Sequence, residues 1–214
     1  MAECLLELKL SEIRLAKPET RQLARGKEDV NVLEFTLHYA SAGKPTLKTI
    51  KTLKWDAPLP TTADTDLGYE KRVLFKERVQ GETALSVEIA SIDNPSAAEQ
   101  FFTGLSANVF KTAFGLATKG IGNVVLGAVN DYMGESIFDA MASKAVVRKI
   151  GRAQIPIDVA QLDTVGTLTQ SLTAPETLKV DKTGRIANDG EGDEVVVQTA
   201  GDPAGTIVIA YRKL

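Results

Sequence analysis

The 214 residues carry 25 Lys and Arg against 28 Asp and Glu, a formal net charge of −3, so no global attraction draws the chain to nucleic acid and any anion site must be a local cluster. Apolar residues make up 43% and charged residues 25%, enough for a substantial core under an ordinary solvated surface. A single cysteine, Cys4, excludes an internal disulfide, and a single histidine, His38, excludes a multi-histidine zinc site.

Met1-Ala2-Glu3-Cys4 has no basic stretch leading into an apolar core, so it does not read as a signal peptide, and Ala2 rules out the usual myristoylation signal. With the lone cysteine this predicts a reducing, cytoplasmic setting. Leu6, Leu8 and Leu10 then alternate with Glu7 and Lys9, and Ile13 and Leu15 resume the pattern after Ser11-Glu12. Val30 to Tyr39 and Leu47 to Trp55 form two more runs. Val73, Phe75 and Val79 alternate with Arg72, Lys76 and Arg78, and Leu85, Val87 and Ile89 with Ser86 and Glu88. Alternation of β-branched and aromatic residues with polar ones predicts half-buried strands, and several in succession predict a sandwich or barrel.

The character changes at Pro95. Ser96 and Glu99 have capping-box spacing, and a helical pattern runs to about Met141, broken by Gly120-Ile121-Gly122. The segment 96–143 is thus predicted to be a helical hairpin. At the ideal ~100° per residue, Phe101, Phe102, Leu105, Val109, Phe110, Ala113, Phe114 and Leu116 cover roughly 220° of the first helix, wider than a one-sided surface helix needs. The second helix would carry Ile121, Val124, Val125, Leu126, Val129, Met133, Ile137, Phe138 and Met141. Its interior Gly127 and Gly134 each cost about 1 kcal/mol relative to alanine but permit close approach of helices. The apolar arc has three uses: packing on the strands, facing a second copy or another protein, or lying shallowly on a bilayer. Lys111 and Lys119 interrupt the run, and a spanning helix wants about 20 apolar residues, so no transmembrane hairpin is expected.

Strands return at Ala145 to Ile157, with a break at Gly151, then at Leu168 to Leu172, Val195 to Val197 and Thr206 to Tyr211. Asp189, Glu191, Asp193 and Glu194 crowd a glycine-rich loop whose spacing does not fit an EF-hand, so a solvated loop is expected. Lys48, Lys51 and Lys54 recur along the third strand, and Arg72, Lys76 and Arg78 along the next. If those strands are neighbours, the cations converge into an anion-binding face. The plainer reading is a solvated charge row that guards against edge aggregation. His38 is expected to be a structural strand residue. No Walker, dinucleotide or G-x-S-x-G motif is present, so neither an enzyme nor a cofactor is predicted.

Read in order, Leu5 to Leu15, Lys48-Thr49-Ile50, the Pro58/Pro60 turn, Phe75, Leu85 to Ile89 leading to Asp93, Ile150 to Ile157 and Gly205 to Tyr211 resemble the C2 domain family. The resemblance covers most of the chain except Ser96 to Ser143. It implies a mainly β fold: one antiparallel C2-like β-sandwich of about eight strands spanning 1–214, with the hairpin inserted in the third ligand loop. It also implies a lysine-rich patch for acidic lipid headgroups. Of the family's calcium-site aspartates only Asp93 matches, followed by Asn94-Pro95, and the first loop offers Asp29, so no metal is expected at that site. The function this predicts is a calcium-independent binding module at the periphery of an anionic membrane, or on a protein partner. It would dock through Phe101, Phe102, Leu105, Val109, Phe110, Phe114, Val125, Val129 and Phe138 of the hairpin and through the basic face. The alternative is an assembly protein that self-associates through the hairpin, giving a homo-oligomer. No nucleic-acid partner is expected.

Overall fold

A computed structural model describes residues 4–16, 30–39, 47–54, 73–92, 124–126, 136, 138–139, 142, 147–180 and 195–214. The strands are β1 (Cys4–Leu15), β2 (Val30–Tyr39), β3 (Leu47–Lys54), β4 (Val73–Val79), β5 (Glu82–Ile92), β6 (Val124–Leu126), β7 (Val147–Asp158), β8 (Val165–Thr173), β9 (Leu178–Val180), β10 (Val195–Gln198) and β11 (Pro203–Lys213). The protein is mainly β. Among the described residues, nine strands form an antiparallel sheet in the order β4-β1-β11-β8-β7-β5-β2-β3-β6, and β9 and β10 pair separately. The sheet curls into a nearly closed, barrel-like form around one core. That core draws Leu6, Leu8 and Leu10 from β1, Leu33, Phe35 and Leu37 from β2, Leu85, Val87 and Ile89 from β5, Ile155 and Ile157 from β7, and Ile207 and Ile209 from β11. Residues on both sides of the 96–143 segment therefore share it.

The alternation in β1 changes phase midway, and the structure shows how. Leu10 pairs with Ile209 and Glu12 with Val208, which leaves Ser11 as a bulge. Without that extra residue, Ile13 and Leu15 would face outward; with it they are buried at 0% and 1% exposure. A second bulge lies in β7, where Ile89 pairs with Gly151 and Ala90 with Lys149. The break expected at Gly151 is this bulge, and the strand runs on through it.

Two glycines shape the β11 side. Gly205 pairs with Leu15 at a φ of +135°, and a Cβ there would collide with the Arg14 carbonyl oxygen. Gly166 lies opposite Tyr211, where a Cβ would stand 2.6 Å from the ring Cζ. The missing side chain makes room for the aromatic ring between β8 and β11.

The predicted hairpin needs one correction. Val124, Val125 and Leu126, assigned above to its second helix, form strand β6, with Lys48 opposite Leu126 and Ile50 opposite Val124. Two β-branched residues in a row lose χ1 freedom in a helix, and β3 offers them an edge to pair with. Helical geometry is found at Phe138-Asp139, where the Ala142 N–H donates to the Phe138 carbonyl at 3.0 Å and the Asp139 N–H to that of Ser136 at 3.1 Å. The remainder of the predicted hairpin lies outside the described residues, as does the acidic loop 189–194.

Candidate anion-binding face

Strands β4, β1 and β11 are neighbours, and the residues that alternate with their core positions share one outward face. On it Glu7 of β1 lies between Lys76 of β4 and Arg212 of β11, each directly opposite in register. Lys9 follows on the same strand, Arg78 of β4 stands opposite Leu5, and Arg14 stands opposite Thr206. This follows from the sequence: the leucines of β1 take the inner positions, so its charged residues are turned out.

Glu7 is the buried member of this group, with 6% of its surface exposed. Its carboxylate accepts from Lys9 Nζ at 3.0 Å and from Arg212 Nη2 at 3.3 Å. Burial alone would raise its pKa. The hydrogen bond and charge of Lys9, with the charges of Arg212 and Lys76, outweigh burial and hold it below the ordinary value of 4.5. Glu12 is paired with Arg14. Lys76 and Arg78 are both exposed. Lys9, Arg14, Lys76, Arg78 and Arg212 thus surround the carboxylates of Glu7 and Glu12, a local excess of positive charge on one face.

The structure joins only part of the basic group named from the sequence. Lys76 and Arg78 belong to this face. Lys48, Lys51 and Lys54 lie on β3, between β2 and β6, and β4 is at the opposite end of the sheet order, so the two rows are not strand neighbours. Arg72 lies outside the described residues. Lys9, Arg14 and Arg212 were missed. Their signal was present as charges at the outward positions of β1 and β11, but the adjacency of the first and last strands is not written in either segment.

Of the hairpin residues, Phe138 is fully buried, so its apolar surface is spent within the chain itself. Val125 is in β6. Phe101, Phe102, Leu105, Val109, Phe110, Phe114 and Val129 lie outside the described residues.

The turn carrying Phe138 is tied to β7. Asp139 Oδ1 accepts from Lys149 Nζ at 2.8 Å, and the Lys149 backbone N–H donates to Glu176 Oε1 at 2.9 Å. Gln198 of β10 donates to the backbone carbonyls of Lys149 and Glu176 at 3.0 and 2.9 Å. Burial would lower the Lys149 pKa. The hydrogen bond and charge of Asp139, then the charges of Glu88 and Glu176, raise it above 10.5 instead.

His38 is an exposed residue of β2, with Nε2 3.0 Å from Ser86 Oγ. It lines a shallow depression of about 460 Å³ with Glu82, Thr83, Ala84, Pro156, Ile157 and Asp158. Among the described residues no three His, Cys, Asp or Glu side chains are grouped to hold a metal ion, and no helix is long and apolar enough to cross a membrane. No protein-family model matches the chain, and no curated protein matches it in sequence.

Proposed function

We infer that this chain is a non-enzymatic binding module of the C2-like kind, which docks on an anionic membrane surface through the outer face of β4, β1 and β11. The observation that carries the reading is the grouping of Lys9, Arg14, Lys76, Arg78 and Arg212 on one face whose central carboxylate, Glu7, is already engaged by Lys9 and Arg212. Such a surface gains from many weak charge contacts at once, and each cation near an anionic bilayer contributes about 1 kcal/mol. A sandwich-like frame is supported by one detail of the topology. β7 and β8 meet only at Arg152 and Thr173, so β4-β1-β11-β8 and β7-β5-β2-β3-β6 are nearly separate halves around the shared core.

Co-sedimentation with phosphatidylserine-containing vesicles tests the reading. Binding is expected at low salt, weakening as salt is added, and absent on neutral vesicles. Reversing Lys76→Glu and Arg78→Glu together is expected to lower the affinity roughly a hundredfold or more. A native chain that stays in the supernatant with anionic vesicles at low salt sinks it.

A further inference from the structure

The long strand β8 is paired along its length on one side only. It is in register with β11 from Val165 to Thr173, but its other side meets β7 at the single pair Arg152–Thr173. Among the described residues, no hydrogen-bond partner stands on that side of Val165 to Ser171. An edge of this kind ordinarily carries charges, proline or a bulge to block further pairing. The opposite edge strand of the sheet, β4, carries Lys76, Glu77 and Arg78. β8 reads Val-Gly-Thr-Leu-Thr-Gln-Ser-Leu-Thr, with neither a charge nor a proline. Its outward residues Val165, Thr167, Thr169 and Ser171 are all exposed, Val165 at 63%, and Leu168 on the inner side is only partly buried against the core.

We propose that the open edge of β8 pairs with β8 of a second copy of this chain. Antiparallel pairing centred on Leu168 sets Thr167 of each copy opposite Thr169 of the other, and Val165 opposite Ser171. An uncharged strand meets itself without like-charge repulsion, which favours self-pairing over a partner chosen by charge. The two-fold axis of such a pair stands perpendicular to the sheet. It continues β4-β1-β11-β8 directly into its symmetry mate and brings both basic faces to the same side. That last consequence rests on the anionic-surface reading above, where it converts one docking face into two linked ones. The pairing itself does not depend on it.

Light scattering on the native chain, from micromolar to millimolar concentration, tests the pairing. A single added strand pair buries less than a standard interface, so the mass is expected to climb from one chain toward two across the series. The double variants Thr167→Lys/Thr169→Lys and Thr167→Glu/Thr169→Glu change only exposed positions and are each expected to remain monomeric, because like charges then face each other across the axis. Mixed in equal amounts they are expected to pair again, which a misfolded variant could not do. A native chain that is monomeric throughout overturns the proposal, as does a lysine variant that dimerises like the native chain, or a mixture that stays monomeric. Vesicle binding by a strictly monomeric native chain would overturn the pairing and leave the docking face standing.

Discussion

The two outer faces of the sheet follow the same alternation and meet different fates. On β4, β1, β11 and β8 the outward positions hold Lys76, Arg78, Arg14, Arg212, Thr167 and Thr169, all exposed, with Glu7 buried among the long side chains of its neighbours. On β2 and β5 the outward positions hold Val32, Glu34, Thr36, Ala90 and Ile92, at 0%, 4%, 6%, 0% and 0% exposure. None of these belongs to the central core, so this end of the second half is buried on both sides, while His38, Arg152 and Gln154 farther along the same face are exposed. The difference teaches that the solvated half is free to act as a surface, whereas the covered end of the other half is committed to holding the chain together. Glu34 and Glu88 stand directly opposite each other on the covered side, and Glu88 lies close enough to Lys149 for their charges to interact.

The largest effect should come from testing that cover directly. Ile92→Ala removes a fully buried side chain outside the central core, and a loss of about 2–5 kcal/mol is expected in urea unfolding. Thr169→Ala on the solvated face should change stability by less than about 0.5 kcal/mol. Similar small losses at both sites would erase the distinction between the faces.

Part of this contrast was legible. The phase change in β1 is visible as Leu10 followed by Ile13, and the bulge at Ser11 explains it. The double burial at the end of β5 was present in Ile89-Ala90-Ser91-Ile92, where apolar residues occupy both parities, the mark of a strand covered on both faces. Periodicity failed at Val124–Leu126, since three apolar residues fit either period and the decision came from the β3 edge far away in sequence. It also failed for the basic face. Glu7 and Arg212 sit at opposite ends of the chain, and no local pattern says that the first and last strands pair. β9 escaped notice because Leu178-Lys179-Val180 is too short for alternation to register.

On the solvated face, Glu7→Gln should have an intermediate effect. Lys9 and Arg212 remain partly solvated, so the loss is expected to be about 1 kcal/mol at neutral pH. A carboxylate whose folded pKa lies below 4.5 contributes stability that is present above that value and lost as pH falls through the lowered one. The gap between native and variant chains should therefore be constant at neutral pH and close in acid, as pH-dependent urea titrations would show. The same substitution removes one negative charge from the basic face, so affinity for anionic vesicles should rise about fivefold. A variant that binds more weakly than the native chain would show that Glu7 organises the face rather than merely diluting its charge.

The smallest effect is expected at the turn carrying Phe138, which Asp139 ties to Lys149 of β7. Two contributions hold that turn: burial of Phe138, which is complete, and the ion pair of Asp139 with Lys149, whose carboxylate side chain is 56% exposed. Screening by solvent limits such a pair, so Asp139→Ala should reduce stability by less than about 1 kcal/mol. The Lys149 pKa is raised on folding, so whatever the pair contributes is fully present below about 10.5 and lost as pH rises through the folded value. Hydrogen exchange at the Ala142 amide, which donates to Phe138, reports the turn separately from the whole. If apolar burial holds the turn, protection there should fall little in the Asp139 variant. A large local loss, with global stability unchanged, would instead make the Lys149 pair the main tether of the turn to β7.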